Sequence, residues 1–326
     1  MLAGVILALA LVGQTPGTPS HPVENVLRDH DGFSGVAYVF SAHEIEAVYA
    51  TEAEMAQEDW RWASVTKLVN AIAILQAVDD GVLSLDQAVN DFIEEPNHPG
   101  LTIRDLLQHT SGLANLDRPR FGQIPYISDP HNFCHGRPRG APGRRFEYNN
   151  CDTVVAASVL EAARGASYQS LLDDQIFAPA NMVGVRAGDG SDTDRFGGGP
   201  SLHVFGASAN LIGPGQSLVR FGQALLRGEL ISEASMAELR AGNPRLGYVS
   251  AGAWSFPANL SGCDGQVSVI ERHGHIRPVH VRFFLAPDLG KGLVVFTNRN
   301  SEDFGDTWTG RGLSFDLTSA AFCGTP

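Results

Sequence analysis

A serine and a lysine lie three positions apart, at Ser64 and Lys67, at the start of a segment with helical periodicity. Side chains at positions i and i+3 share one face of a helix, so the Lys67 amine can reach the Ser64 hydroxyl. The helix N-terminus favours developing negative charge, and partial burial disfavours the charged amine, so the lysine can share in proton transfer. The pair indicates a nucleophilic serine, although an exposed lysine on an ordinary helix gives the same pattern.

Two further pairs of residues carry side chains suited to catalysis. Tyr148 and Asn150 form a Tyr-x-Asn sequence in a loop-rich segment, and a phenol close to a lysine can act as a general base if positive charge lowers its pKa. His273 and His275 form a His-x-His sequence before a predicted strand, whose edge could supply a backbone N–H to an oxyanion. A half-buried tyrosine beside a turn and a pair of surface histidines are the plain structural explanations.

In chain order, the three motifs are Ser64-x-x-Lys67, Tyr148-x-Asn150 and His273-x-His275. This ordered set resembles the serine β-lactamase and penicillin-binding-protein superfamily. Its Tyr-x-Asn form is similar to that of the class C β-lactamase branch, with its D-aminopeptidase, carboxypeptidase and esterase relatives. Supporting segments of the same branch are found at 62–67, 102–112, 142–148 and 284–298. The resemblance therefore covers most of the chain, from about residue 34 to residue 298.

The resemblance implies catalysis through a covalent acyl-enzyme and requires no cofactor. Ser64 would attack the carbonyl carbon of an ester or amide, while Lys67 and Tyr148 transfer the protons. Asn150 would orient Lys67 and the substrate amide. The backbone N–H groups of Ser64 and Ile276 would form the oxyanion hole, and water activated by Tyr148 would release the acyl group. The substrate classes that follow are β-lactams, D-amino-acid peptides and small esters.

The third motif departs from the pattern of the family, which commonly has Lys-Thr-Gly or His-x-Gly there. If Pro278 is aligned with the proline that frequently follows, His275 takes the place of the glycine against which substrate lies. Residues 273 and 275 of a strand share a face, so His275 is expected to crowd or line the cleft. His273 replaces a lysine and is mostly neutral at pH 7, which weakens recognition of a carboxylate unless Arg277 compensates. This departure favours small neutral esters or an unusual peptide.

Three alternative interpretations stay open on the sequence alone. A protein of this superfamily could bind penicillin with little turnover, because His275 blocks the edge of the cleft. His273 and His275, with His280 nearby, could instead bind zinc in a metal hydrolase, but zinc needs further ligands that the spacing does not identify. The motifs could also be accidents in a secreted globular domain, which their shared order disfavours.

The elements that must position these residues predict an α+β fold. Strands are predicted at 34–40 and 45–49, which form a hairpin, and at 267–270, 279–285 and 292–297. Helices are predicted at 64–79, from 102 to a stop at Gly112, and at 152–163 and 218–226. Strands at both ends with helices between them indicate one antiparallel sheet built from both chain ends, flanked by helices, with a mainly helical insertion lobe. This matches the β-lactamase/transpeptidase-like architecture that the resemblance implies.

Composition limits the remaining possibilities. The 326 residues, with 43% hydrophobic and 18% charged residues, suffice for a large core and exclude wholesale disorder. The net charge of −13 argues against a nucleic-acid binder, which carries a basic surface. We expect a monomer that acts on a small-molecule or short-peptide acyl substrate whose identity depends on the loops 113–147 and 184–215. The expected β-lactamase-like domain covers 21–326, with a sheet lobe at about 21–86 and 206–326 and a helical lobe at about 87–205.

The N-terminus and the cysteines indicate export. Residues 1–20 are predicted to be a signal peptide and linker, because 2–13 is apolar but too short to span a bilayer, while 14–22 is polar and rich in Gly and Pro. The expected location is periplasmic or secreted, without a stable membrane span. In that setting an even number of cysteines favours disulfides over buried thiols. The four cysteines are expected to pair as Cys134–Cys151 and Cys263–Cys323.

Overall fold

The computed structural model describes residues 21–116, 129–188 and 200–324. The predicted signal segment 1–20 lies outside these ranges, and within them no helix is long and apolar enough to cross a membrane. The strands are β1 (Gly35–Ser41), β2 (Ile45–Ala50), β3 (Asp59–Arg61), β4 (Arg186–Ala187), β5 (Leu211–Pro214), β6 (Trp254–Ala258), β7 (Val267–Ile276), β8 (Val279–Ala286) and β9 (Lys291–Thr297). The α-helices are α1 (Pro22–Asp29), α2 (Thr66–Asp79), α3 (Ile103–Leu107), α4 (Pro130–Cys134), α5 (Asn150–Arg164), α6 (Tyr168–Leu172), α7 (Gly215–Leu226), α8 (Glu233–Arg240) and α9 (Leu313–Cys323).

The main sheet joins the two ends of the chain. Its strand order is β2-β1-β9-β8-β7-β6, and every neighbouring pair in it is antiparallel. The N-terminal strand β1 lies between its hairpin partner β2 and the late strand β9, with Gly35 opposite Thr297. A smaller sheet has the order β3-β5-β4. The predicted α+β fold, with an antiparallel sheet from both chain ends and flanking helices, is confirmed.

The sheet has an apolar core on each face. Successive residues of a strand point to opposite faces, and β1 follows this rule. Val36, Tyr38 and Phe40 enter the core that contains the side chains of α2, α5 and α7. Ala37 and Val39 enter the opposite core, formed with α1 and α9. Both faces of the sheet are therefore covered, and the strands next to the site are fixed by packing.

Helix α2 lies at the centre of the molecule. Eleven of its fourteen residues are buried, and the exposed end is at Asp79. A helix that is apolar on most sides belongs in an interior, where close packing holds side chains in single positions. Because Lys67 lies in the buried first turn of this helix and Ser64 lies directly before it, their backbone positions are fixed by the core.

The start of the described chain differs from the sequence prediction. Residues 14–22 were expected to form a polar linker, and 14–20 lie outside the described residues. Pro22 is instead the first residue of α1, and the His21 side chain accepts a hydrogen bond from the Val23 N–H at 3.2 Å. Proline suits the first position of a helix because its missing N–H is not needed there. The buried side chains of Val23 and Leu27 then attach α1 to the outer core.

Candidate active site

Ser64 lies in a short 3₁₀ turn, Ala63–Val65, that leads directly into α2. The preceding residue, Ala63, is buried and has a φ of 46°, a region that residues other than glycine rarely occupy. Such a backbone conformation is maintained only where the surroundings impose it, and it often occurs at functional sites. This turn presents the Ser64 hydroxyl to Lys67 and Tyr148.

Lys67 lies one turn further along and is 3% exposed. Its Nζ donates hydrogen bonds to Ser64 Oγ at 3.1 Å, to Asn150 Oδ1 at 2.5 Å and to the Ser208 carbonyl oxygen at 2.9 Å. An ammonium group has three donors and no acceptor, so each donor has a partner. The amine is therefore held beside the serine hydroxyl, as the sequence spacing predicts.

Tyr148 reaches the same hydroxyl from the extended segment before α5. Its phenol donates a hydrogen bond to Ser64 Oγ at 2.7 Å. Burial raises the pKa of Tyr148, but the charges of Lys67 and Arg272, together with hydrogen bonds from the site, outweigh burial and lower it overall. The two cations lie 5.0 Å and 5.4 Å from the centre of the phenol ring. The phenolate form is therefore favoured relative to an ordinary tyrosine.

The N-terminus of α5 places Asn150 beside Lys67. The Asn149 side chain caps this helix by accepting a hydrogen bond from the Cys151 N–H at 2.9 Å. The disulfide Cys134–Cys151 joins α4 to the same turn, with the two Cα atoms 4.9 Å apart. The second disulfide, Cys263–Cys323, attaches α9 to the loop after β6. Both predicted pairings are confirmed, and the first fixes the turn that carries Asn150.

Arg272 is a site residue that the sequence reasoning missed. Its guanidinium donates from Nε to the Ser64 carbonyl oxygen at 3.0 Å and from Nη2 to the Tyr148 phenol oxygen at 3.2 Å. The side chain is 1% exposed, and this burial lowers the pKa of Arg272 despite the opposing influence of Tyr148. The sequence signal is the strand period, because Arg272 and Gly274 share one face of β7.

Gly274 lies directly against the serine. A Cβ atom at this position would lie 2.6 Å from the Ser64 backbone nitrogen and 3.0 Å from the Trp62 carbonyl oxygen, which leaves room only for glycine. The expectation that His275 takes the place of the cleft glycine is wrong. Arg277 and Pro278 form the turn that closes the β7–β8 hairpin, so an alignment based on Pro278 is shifted by one residue.

The two histidines of the third motif bond to side chains outside the Ser64 cluster. His273 stacks on Trp254, with ring centroids 5.0 Å apart, and its Nδ1 lies 3.3 Å from a Glu271 carboxylate oxygen. His275 is exposed, stacks on His280 at 3.8 Å and bonds to the side chain of Asn300. His275 therefore neither blocks nor lines the cleft, because alternate residues of a strand face opposite sides.

The described part of the chain also bears on the zinc interpretation. Within it, no group of three or more His, Cys, Asp or Glu side chains is arranged so that it could hold a metal ion. The four side chains that do converge are those of Ser64, Lys67, Tyr148 and Asn150, with Arg272 behind them. A nucleophile with adjacent proton-transfer groups suits acyl transfer.

Comparison with known proteins identifies the family of the chain. The sequence profile of the Beta-lactamase family matches residues 24–314. Penicillin-binding protein 4* of Bacillus subtilis (strain 168) is 30% identical over 132 residues, a match that covers 38% of this chain and only 29% of that protein. A D-stereospecific amidohydrolase from Streptomyces sp. has a TM-score of 0.75 at 21% identity, covering 94% of this chain and 100% of that chain.

A second solved structure has the same fold. The D-amino acid amidase from Ochrobactrum anthropi SV3, complexed with D-phenylalanine, has a TM-score of 0.73 at 18% identity, covering 92% of this chain and 97% of that chain. At such identities the likeness concerns the fold. The family match is broader, since residues 24–314 include the serine, tyrosine and β7 segments described above. On this evidence the chain belongs to the Beta-lactamase family.

Proposed function

We propose that the protein is a serine hydrolase that cleaves an ester or amide through an acyl-enzyme on Ser64. The observation that carries this proposal is the convergence of two proton-transfer groups on one hydroxyl. Lys67 Nζ lies 3.1 Å and the Tyr148 phenol 2.7 Å from Ser64 Oγ. Both distances are within hydrogen-bond reach of the proton that must be moved.

Tyr148 is assigned as the general base. Its phenolate takes the proton of the Ser64 hydroxyl as Oγ bonds to the substrate carbonyl carbon, and the phenol then gives that proton to the departing oxygen or nitrogen as its bond to carbon breaks. In the second half, a water molecule gives a proton to Tyr148 while its oxygen attacks the acyl carbon. Return of the proton to Ser64 Oγ releases the acid and restores the enzyme. Lys67 and Arg272 stabilise the negative charge on the phenol oxygen throughout.

The oxyanion hole is assigned to the N–H groups of Ser64 and His275 rather than Ile276. Strand β6 pairs with β7 only as far as Glu271, so the β7 edge at 272–276 is not covered by β6. Ile276 and Val279 close the hairpin across a two-residue turn, and such a pair directs its N–H and C=O groups towards each other. The N–H of the next residue back, His275, is then directed to the uncovered edge. Removal of one oxyanion donor typically costs about 10²–10³ in rate.

The position of Arg272 bears on the substrate. Its guanidinium is buried and engaged by the enzyme's own oxygen atoms, so it does not serve as a cation for a substrate carboxylate. The His273 ring packs on Trp254, and its Nδ1 lies 3.3 Å from a carboxylate oxygen of Glu271, so this histidine also has a partner within the protein. We therefore propose esters or amides without a carboxylate at this position as substrates, in preference to β-lactams or D-Ala-D-Ala peptides. The D-amino acid amidase and D-stereospecific amidohydrolase similarities support an amide among them.

We also propose that the protein is exported to the periplasm or secreted. Two disulfides, Cys134–Cys151 and Cys263–Cys323, are present in the described chain. Disulfides persist in oxidising compartments and are rare in the cytosol of most organisms. Fractionation of the native host and the mass of the mature N-terminus test this proposal: retention of residues 1–20 in a cytosolic fraction would contradict it.

Hydrolysis by matched variants tests the proposed reaction. The assay uses three substrates: p-nitrophenyl acetate, D-phenylalanine p-nitroanilide and a chromogenic cephalosporin. The wild type is compared with Ser64→Ala and with the control Ser170→Ala, which changes an exposed serine of α6. We expect turnover of the first two, loss with Ser64→Ala and no change with Ser170→Ala. A stable adduct with the cephalosporin and little turnover of any substrate would instead support the penicillin-binding alternative.

A further inference from the structure

Three buried polar side chains lie behind Tyr148 and take no part in the proposed reaction. His109 Nδ1 lies 2.8 Å from Asp152 Oδ2, and the Ser111 hydroxyl donates a hydrogen bond to Asp152 Oδ1. The exposed fractions are 3% for His109, 1% for Ser111 and 0% for Asp152. These three residues are named the His109 cluster. Buried polar groups at this depth are costly unless they are fully paired, so their presence calls for a role.

The His109 cluster is in direct contact with the proposed base. The His109 ring packs on the Tyr148 ring, with centroids 4.7 Å apart. The His109 carbonyl oxygen also accepts a hydrogen bond from the Glu147 N–H at 2.8 Å, directly before Tyr148. Asp152 lies in the first turn of α5, so the cluster attaches this helix to the segment that packs on the phenol. The position of Tyr148 therefore depends on these contacts.

The backbone of His109 supports the same interpretation. Its φ of 56° lies in the left-handed region, which a non-glycine residue rarely occupies without compensating contacts. The Nδ1 contact with Asp152 and the ring contact with Tyr148 supply such contacts. The imidazole on this backbone is buried and faces the phenol ring.

Burial favours the uncharged forms of the two titratable groups in the His109 cluster, Asp152 and His109. Burial raises the pKa of Asp152 well above its usual range, although the Ser111 hydrogen bond and the charge of Lys67 oppose this. Burial also lowers the pKa of His109, and the charges of Arg272 and Lys67 act in the same direction. A protonated Asp152 can donate from Oδ2 to His109 Nδ1 while Oδ1 accepts from Ser111, so both carboxyl oxygens are satisfied.

We propose that the His109 cluster is a positioning element that holds the Tyr148 phenol against Ser64 while adding no net charge to the site. This inference rests on the proposed role of Tyr148 as the base. An ionised Asp152 would oppose negative charge on the phenol oxygen, because like charges repel strongly in a buried site. A loose His109 would let the phenol move away from the cations of α2 and β7.

Two substitutions of Asp152 distinguish the effect of its hydrogen bonds from the effect of any charge on its carboxyl group. Asp152→Asn keeps the shape and both hydrogen bonds, since its amide N–H can donate to His109 and its oxygen can accept from Ser111. Asp152→Ala removes both bonds. The first measurement is the phenol titration followed by ultraviolet difference spectroscopy, with Tyr148→Phe to identify the signal, and it needs no substrate. The second is kcat and KM for p-nitrophenyl acetate.

We expect different results for the two variants: no change in one, and a raised Tyr148 pKa with a lower kcat in the other. Asp152→Asn should keep the Tyr148 pKa and the kcat of the wild type. Asp152→Ala should raise the Tyr148 pKa, because the phenol moves away from Lys67 and Arg272, and should lower kcat about 10²-fold with little change in KM. The groups that face the phenol in this titration are Lys67 from α2, Arg272 from β7 and His109 itself.

Other outcomes overturn the inference. A lower Tyr148 pKa in Asp152→Asn would show that the wild-type carboxyl carries a negative charge. An unchanged pKa and kcat in Asp152→Ala would show that the cluster does not position the phenol. If Asp152→Ala does not fold, Ser111→Ala removes only one hydrogen bond and should raise the Tyr148 pKa in the same direction. Should the wild type hydrolyse no substrate while its phenol responds as stated, the proposed function fails and the positioning role stands.

Discussion

Replacement of Gly274 by alanine adds one methyl group where β7 passes the serine. That carbon would lie 2.6 Å from the Ser64 nitrogen, 2.8 Å from Ala63 Cβ and 3.0 Å from the Trp62 carbonyl oxygen. Ordinary contacts of a Cβ atom begin at 3.4 Å, so the closest contact is too short by about 0.8 Å. These neighbours belong to a buried turn and cannot rotate away, so the strand and the serine must separate.

The expected effect of Gly274→Ala on activity follows from that displacement. A misplacement of about 1 Å at reacting groups can cost about 10²-fold in rate, and loss of one oxyanion donor costs about 10²–10³. Overpacking of a core typically costs about 1–3 kcal/mol of unfolding free energy. We therefore expect kcat/KM for p-nitrophenyl acetate to fall about 10²–10³-fold, with a lower unfolding temperature.

Two controls make the Gly274→Ala result specific. Gly140→Ala places its Cβ at 3.9 Å from the nearest atom, an ordinary contact, and should behave as the wild type. His275→Ala should also retain activity, because this side chain bonds to Asn300 and stacks on His280. Wild-type activity in Gly274→Ala, or a large change of activity in His275→Ala, would refute the assigned orientation of β7.

The remaining predictions concern the groups around Ser64. Tyr148→Phe should lower kcat about 10²–10⁴-fold, as loss of a general base does. Wild-type activity should rise with pH as Tyr148 ionises, at a pKa below its ordinary value because Lys67 and Arg272 outweigh the effect of burial. Arg272→Met removes one of these charges, so the pH profile should move to higher pH; an unmoved profile would contradict the assignment. Lys67→Ala should lose about 10²–10⁴ in kcat, whereas Lys291→Ala, which changes the only other lysine, should lose nothing.

The sequence predicts those contacts of the candidate site that join residues close together in the chain. Apolar periodicity predicts a helix with Ser64 and Lys67 on one face. In the structure α2 begins at Thr66, and Ser64 lies in the 3₁₀ turn that leads into it, still within reach of Lys67. The sequence does not give the distance from Tyr148 to Ser64. Only the resemblance placed those two side chains together, because their contact spans 84 positions of the chain.

The third motif shows why strand register is harder to predict. In a strand, a shift of one residue moves every side chain to the opposite face. Residues 273–275 are a glycine flanked by two histidines. The alignment of this segment with the family relied on Pro278 alone, and it assigned the position of the cleft glycine to His275 instead of Gly274. The predicted strand 267–270 was also too short, since β7 extends to Ile276. The packing of Gly274 on Ser64, which decides the register, is a tertiary contact.

The unpredicted elements have a similar cause. Helix α9 covers the outer face of the sheet and is buried along most of its length, so it lacks the polar stripe that identifies a helix in a sequence. Strand β6 contains Pro257, which disfavours a strand assignment but is tolerated because β6 lies at the sheet edge. Position in the fold, rather than local preference, decides both elements.

The most direct test of the central claim is the mass of the intact protein during turnover. The wild type and Ser64→Ala are incubated with p-nitrophenyl acetate or a fluorophosphonate and quenched in acid. Their intact masses are measured by mass spectrometry, and the labelled peptide is then sequenced. We expect a single adduct on the wild-type peptide that contains Ser64, transient with the ester and lasting with the fluorophosphonate, and no adduct on Ser64→Ala. Hydrolysis without any adduct, or an adduct of equal yield in Ser64→Ala, would contradict it.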